Sequence, residues 1–168
     1  MEKALFLDRD GIINVDSGYV HRPEDFQLTE GIIPLCQYAV QKRYKLIVIT
    51  NQSGIARGMY TGLALEKLHR YMRNIFKDHQ LFFSAIYYCP HHPNFSGRCL
   101  CRKPNSLLFE RALAACKLSA GDCWMLGDHE RDIKPAYQLR MKTALLGSKH
   151  NHWANICIDK LSDLRPYL

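Results

Sequence analysis

The chain has 168 residues, 47% of them hydrophobic, with 23 Lys and Arg against 16 Asp and Glu and a formal charge of +7. That length suits one domain with a real core, and the hydrophobic share excludes a wholly disordered chain. No apolar run approaches the ~18 residues of a membrane span, and Met1-Glu2-Lys3 leads into a short apolar run with no cleavage pattern, so a cytoplasmic protein without a leader is expected.

Residues 4–7 are continuously apolar and end in charge at Asp8-Arg9-Asp10-Gly11, which predicts a buried strand running into a turn. Residues 31–43 place Ile32, Leu35, Cys36 and Ala39 at helical spacing. A second buried strand at 46–49 is stopped by Thr50-Asn51-Gln52-Ser53-Gly54. Residues 63–76 read as a helix with Leu65, Leu68, Met72 and Ile75 on one side, and 85–88 as a third strand. A helix over 106–116 has Ser106 as its expected cap. A fourth strand at 123–126 ends at Gly127-Asp128, and a short helix over 132–140 holds Pro135 in its first turn. Residues 143–146 form a fifth strand, and 155–168 add a last short strand and turn. Strands alternating with helices predict an α/β fold with a parallel sheet covered on both faces. No repeat, low-complexity tract or linker divides the chain, so residues 1–168 are read as one domain.

In an open parallel sheet, ligands bind beyond the carboxyl ends of the strands. Polar clusters fall at three such ends: Asp8 with Asp10, Thr50 with Asn51, and Asp128 followed by Asp132. Lys103 lies in a loop just before a helix. Brought together, the carboxylates would repel one another, and a hard cation such as Mg²⁺ removes that problem. A carboxylate can attack phosphorus and divide one hard step into two. A second carboxylate two residues on can move the proton, while a lysine and a hydroxyl hold the phosphoryl oxygens.

These segments resemble the haloacid dehalogenase superfamily. Its D-x-D-G motif matches Asp8-Arg9-Asp10-Gly11, its Ser or Thr after a strand matches Thr50, its Lys before a helix matches Lys103, and its G-D-x-x-x-D motif matches Gly127-Asp128 with Asp132. The resemblance implies a Rossmann-like sheet without a cap domain, Asp8 as nucleophile, Asp10 as acid and base, and Thr50 and Lys103 as further catalytic groups. It also implies Mg²⁺ held by Asp8, the Asp10 main-chain carbonyl and Asp128, with Asp132 steadying the metal directly or through a neighbour. Ile12 stands where Thr is usual in this group, and His129 follows Asp128 where Lys is common.

There are seven cysteines. Cys36, Cys116, Cys123 and Cys157 are scattered and read as small hydrophobes in or near the core. Cys89, Cys99 and Cys101 cluster beside His91 and His92; three thiolates and one imidazole suit a closed, structural Zn²⁺ site within 89–101. Either histidine could complete the set; the family pattern places His91 there.

This loop and the runs 50–58, 87–93 and 101–104 resemble a capless, zinc-loop branch of phosphatases acting on a heptose bisphosphate or on histidinol phosphate. The resemblance implies a monoester hydrolase, with Ile-Ala-Arg-Gly at 55–58 and His91-His92-Pro93 leaning to the sugar bisphosphate, a step towards lipopolysaccharide. Arg57 and Arg102 are candidates for a second phosphate or the sugar, Asn51 and Gln52 for hydroxyls, and Gly18-Tyr19-Val20 for one pocket wall. The positive balance suits an anionic substrate, and a cationic amine would be repelled. Without a basic track carrying stacking aromatics, neither nucleic acid nor a polynucleotide end is the expected partner. A catalytically silent, zinc-ordered binding module is the reading from another class, opposed by the intact acidic set. The expected assembly is a monomer.

Overall fold

The computed structural model describes residues 2–147 and 150–168; Met1, where the leader reading starts, and Ser148 and Lys149 lie outside the described residues. The strands are β1 (Lys3–Leu7), β2 (Tyr44–Asn51), β3 (Phe83–Cys89), β4 (Trp124–Gly127), β5 (Lys142–Leu146) and β6 (Ile156–Ile158). They pair in parallel throughout, in the order β3-β2-β1-β4-β5-β6. The helices are α1 (Ile32–Gln41), α2 (Gly62–Asp78), α3 (Pro93–Ser96), α4 (Leu107–Ala115) and α5 (Glu130–Gln138), with 3-10 turns at Pro23–Asp25, Ala120–Asp122 and Leu161–Tyr167.

Both faces of the sheet are covered, which is why its central strands are apolar without alternation. Leu5 and Leu7 of β1 and Leu46 and Val48 of β2 pack with Ile32 and Leu35 of α1 and Leu68 and Met72 of α2. Ala4, Phe6, Ile47 and Ile49 point the other way, towards Phe109 of α4 and Ile133 of α5. Cys36 and Cys123 are fully buried, and Cys116 and Cys157 pack against the second cluster. Among the described residues, no helix is long and apolar enough to cross a membrane.

The elements differ from the sequence reading at informative points. β2 takes in Thr50 and Asn51, because both pair with Tyr88 and Cys89 of β3. Ser106 precedes α4, but its hydroxyl donates to the Glu110 carboxylate and caps no backbone group. The last long helix starts at Glu130 instead of Asp132, so Asp132 is its third residue and accepts from His129 N at 3.1 Å. Pro135 is therefore its sixth residue and lies in the second turn, where its missing N–H leaves one helical bond unmade.

The chain builds outward from β1 through β2 to β3, then crosses back to place β4 on the other side of β1. The carboxyl ends of β1 and β4 thus flank the switch point of the sheet, the crevice where such folds bind ligands.

One polar pair is sunk beside that crevice. Arg9 is fully buried; its Nη2 donates to Val20 O at 2.6 Å, and its Nη1 lies 3.4 Å from Nε2 of His69 on α2. Burial, reinforced by the Arg9 charge, pushes the His69 pKa down to about 3, so the ring is neutral and accepts from Arg9. Unfolded His69 takes its proton near 6.5 and folded His69 only near 3. The unfolded chain therefore binds the extra proton across that window, and stability is lost as pH falls through it. Replacing His69 by Gln, which keeps an acceptor, should remove about 1.4 kcal/mol of this loss per pH unit. Urea unfolding at about pH 7 and about pH 5 measures it, and an unchanged pH dependence would count against the neutral ring.

Candidate active site

The turn after β1 is built to let two acidic strand ends meet. Arg9 O accepts from the N–H groups of Ile13 and Asn14, at 2.8 and 3.1 Å, and Gly11 N donates to Asn14 O at 2.7 Å. Gly11 has φ +87°, and a Cβ there would sit 2.0 Å from Asp128 Oδ2. Only glycine accepts that backbone and lets the carboxylate from the end of β4 press on the turn. Ile12 points into the core and is fully buried.

Lys103 crosses beneath this junction. Its Nζ donates to Asp8 Oδ1 and to Ile49 O, both at 2.8 Å, and lies 2.7 Å from Asp132 Oδ1. Its main chain is clamped by Asn51, whose Oδ1 accepts from Lys103 N at 3.0 Å and whose Nδ2 donates to Lys103 O at 3.1 Å. Burial would lower the Lys103 pKa, but Asp132 and Asp8 outweigh it and raise it, so the ammonium is charged. Burial would raise Asp132, but Lys103 holds it below the usual carboxylate range. Asp8 goes the other way: burial, then the Asp132 charge, push it up to about 7 against the pull of Lys103.

Asp10 is oriented from three sides. Its carboxylate accepts from Arg9 Nη2 at 2.9 Å, Asn14 Nδ2 at 3.0 Å and Gln52 Nε2 at 2.9 Å. The Gln52 amide also donates to Thr50 Oγ1 at 2.9 Å and accepts from Tyr60 OH at 2.7 Å. The Tyr60 ring lies against Gly54, where an added Cβ would be 2.1 Å away.

Asp8, Asp10, Thr50, Lys103 and Asp132 line one cavity of about 280 Å³. Gly18, Tyr19, Arg57, Arg102 and Arg131 contribute to its lining as well. Val20 is buried, with its carbonyl on Arg9. Asn51 and Gln52 line the cavity too, but their amides are engaged with Lys103, Asp10, Thr50 and Tyr60, which makes them braces of the site. Sequence reasoning missed Arg9, Tyr60 and Arg131. Arg131 carried one signal, its place immediately before Asp132 at the start of a helix.

The acidic set fits a hard cation. Burial raises Asp128 as well as Asp8, so both carboxylates are disfavoured as anions, and a bound cation would offset that. Asp128 Oδ1 is buried and lies 2.9 Å from His129 Nδ1 without hydrogen-bond alignment. Ligand atoms of Asp128, His129 and Asp132 lie within 4.8 Å of one another, and the carboxylate oxygens of this set, with Asp8 beside it, suit Mg²⁺.

The second metal reading also fits. Ligand atoms of Cys89, His91, Cys99 and Cys101 all lie within 4.8 Å of one another. The sulfur separations are 3.6 Å for Cys89–Cys99, 3.1 Å for Cys89–Cys101 and 3.5 Å for Cys99–Cys101, and His91 Nδ1 is 3.3 Å from Cys101 Sγ. Zn–S bonds of ~2.3 Å would space tetrahedral sulfurs by about 3.8 Å, slightly more than this. His91 brings its ring nitrogen to the cluster, whereas His92 Nδ1 accepts from Asn94 N at 3.2 Å.

Comparison with known proteins agrees with this geometry. The HAD-hydrolase-like family model matches residues 100–155. D-glycero-beta-D-manno-heptose-1,7-bisphosphate 7-phosphatase of Haemophilus ducreyi is 35% identical, over 99% of this chain and 98% of the relative. The enzyme of that name from Helicobacter pylori strain 26695 is 43% identical over 86% of this chain and 83% of its own. The crystal structure of D,D-heptose 1,7-bisphosphate phosphatase from B. bronchiseptica, complexed with magnesium and phosphate, superposes with a TM-score of 0.87 at 25% identity, covering 99% and 97% of the two chains. With a parallel sheet in this strand order and relatives this close along its full length, the chain belongs to the haloacid dehalogenase-like hydrolases, in the family of the heptose-1,7-bisphosphate 7-phosphatases.

Proposed function

We propose that this chain is a Mg²⁺-dependent phosphatase that removes the 7-phosphate of D-glycero-D-manno-heptose 1,7-bisphosphate through attack by Asp8. The observation that carries the reading is the cavity itself: Asp8 lines it with Lys103 at 2.8 Å, and Thr50 and Asp10 share the same lining. A carboxylate oxygen of Asp8 bonds to phosphorus as the bond from phosphorus to the sugar oxygen breaks. Asp10 gives its proton to that leaving oxygen. Asp10 then takes a proton from water, whose oxygen attacks phosphorus and releases inorganic phosphate and free Asp8. Lys103 and the Thr50 hydroxyl hold the phosphoryl oxygens in both steps. Mg²⁺ bound by Asp8, the Asp10 carbonyl and Asp128 would offset the repulsion between the nucleophile and the phosphate dianion. Asp132 acts by fixing Lys103 and the start of α5.

Substrate choice rests on the rim. Arg57, Arg102 and Arg131 favour a second phosphate on the sugar and disfavour the ammonium of histidinol phosphate. The loop 89–101 is read as ordered by Zn²⁺, with Cys89, His91, Cys99 and Cys101 as ligands.

Asp8→Asn should lower kcat by at least about a thousandfold with an unchanged circular dichroism spectrum; activity within tenfold of wild type would remove Asp8 from the nucleophile role. Because Asp8 sits up near 7 without a cation, protons and Mg²⁺ compete for it below that pH. Calorimetric titration of phosphate-free protein should find Mg²⁺ affinity falling by up to about tenfold per pH unit below pH 7, and a flat profile would exclude Asp8 as a ligand. Cys99→Ser should release bound zinc and lower the melting temperature by about 5 °C or more; full zinc content at an unchanged melting point would disprove the ligand set.

A further inference from the structure

Of the side chains that donate to the Asp10 carboxylate, Gln52 is the one that also lines the cavity. Its Nε2 carries two hydrogens, and both are used: one goes to Asp10 Oδ2 and one to Thr50 Oγ1, each at 2.9 Å. This has a consequence for Thr50. A hydroxyl owns a single hydrogen. With one lone pair of Oγ1 taken by the amide, that hydrogen is left for a phosphoryl oxygen in the cavity. The same amide turned over would set Oε1 against the Asp10 carboxylate and draw the Thr50 hydrogen to itself.

The orientation depends on the partner of Oε1. Gln52 is 2% exposed, so water does not serve that oxygen; Tyr60 OH does, at 2.7 Å. Without this donor a buried carbonyl oxygen would be unsatisfied, and the amide could relieve it only by giving up Asp10 or Thr50. Burial pushes the Tyr60 hydroxyl up to about 12, so it keeps its proton and donates. The ring is held independently of the hydroxyl. It packs against Gly54 and stacks on the His21 ring, with centres 4.7 Å apart and planes 8° from parallel.

We propose that Tyr60 is a positioning residue for phosphoryl transfer: by donating to Gln52 it fixes the amide so that one N–H group holds Asp10 Oδ2 and the other leaves the Thr50 hydrogen free for the phosphoryl group. The inference rests on the reading of Asp8 as nucleophile, with Asp10 as acid and Thr50 on the phosphoryl oxygens. Tyr60 gives up no proton in the reaction and acts through Gln52 alone.

Tyr60→Phe removes the hydroxyl and keeps the ring, so its melting temperature should match wild type. Its kcat for heptose 1,7-bisphosphate should fall about tenfold, with KM within about twofold. The loss in kcat/KM should be smaller, about threefold, for p-nitrophenyl phosphate, whose phenolate leaves without needing the Asp10 proton. The part owed to Thr50 is common to both substrates, whereas the part owed to Asp10 falls on the sugar ester. Gln52→Ala should lose at least as much as Tyr60→Phe, and adding Tyr60→Phe to it should change nothing further. Gln52→Glu keeps an acceptor for Tyr60 but sets a carboxylate against Asp10, and it should be no better than Gln52→Ala. An unchanged kcat in Tyr60→Phe overturns the inference and leaves the phosphatase reading intact. So does a Tyr60→Phe loss of the same size in the wild-type and Gln52→Ala backgrounds, which would mark a merely structural role. If wild type releases phosphate from neither ester, the phosphatase reading fails first and the role of Tyr60 falls with it.

Discussion

A buried ammonium needs compensation, and the compensation of Lys103 organises the site. Removing a charge from water costs several kcal/mol unless partners surround it. Lys103 obtains three, Asp8 from the turn just after β1, Ile49 O from β2 and Asp132 from α5. One cation therefore holds together the ends of three elements on both sides of the switch point. It also explains the opposite behaviour of its two carboxylates. One ammonium balances one carboxylate, and Asp132 takes that benefit. Asp8 is left to face burial and the Asp132 charge, and it retains a proton near neutrality until a second cation arrives. The charge deficit around a single lysine is thus the physical case for the metal.

Much of this was legible in the sequence. The apolar runs at 4–7 and 46–49 named the central strands, because strands buried on both faces need no alternation. The acidic and hydroxyl residues at the strand ends then had to meet at one edge. What could not be read depended on partners far along the chain. Arg9 lies between two aspartates and looks like a surface charge. Its burial depends on Val20 and on His69, which is 60 residues away. Asn51 looked like a ligand for hydroxyls, yet its amide matches the main chain of Lys103, 52 residues on. Pro135 was placed in a first turn because the reach of Asp132 back to His129 N, which starts α5 earlier, is a three-dimensional fact.

The cysteine loop is not a separate appendage. Only Arg102 stands between Cys101 and Lys103, and Arg102 Nη1 donates to His91 O at 3.2 Å. The cysteine cluster is therefore joined along the backbone directly to the ammonium that holds Asp8. The link is short and covalent.

The two glycines of the turn after β2 have opposite surroundings. Gly54 is pressed by the Tyr60 ring, whereas nothing lies within 4 Å of the position a Cβ would take at Gly58. The base of that turn is closed by contact, and Gly58 is held to glycine by its backbone, with φ +70°. Divergence towards other phosphorylated metabolites, by selection or by engineering, would have to work through the side chains between the two glycines, since one added at Gly54 would displace the tyrosine that supports Gln52 and one added at Gly58 would strain the backbone. Catalytic geometry and substrate choice thereby become separately adjustable within a span of seven residues, 52–58.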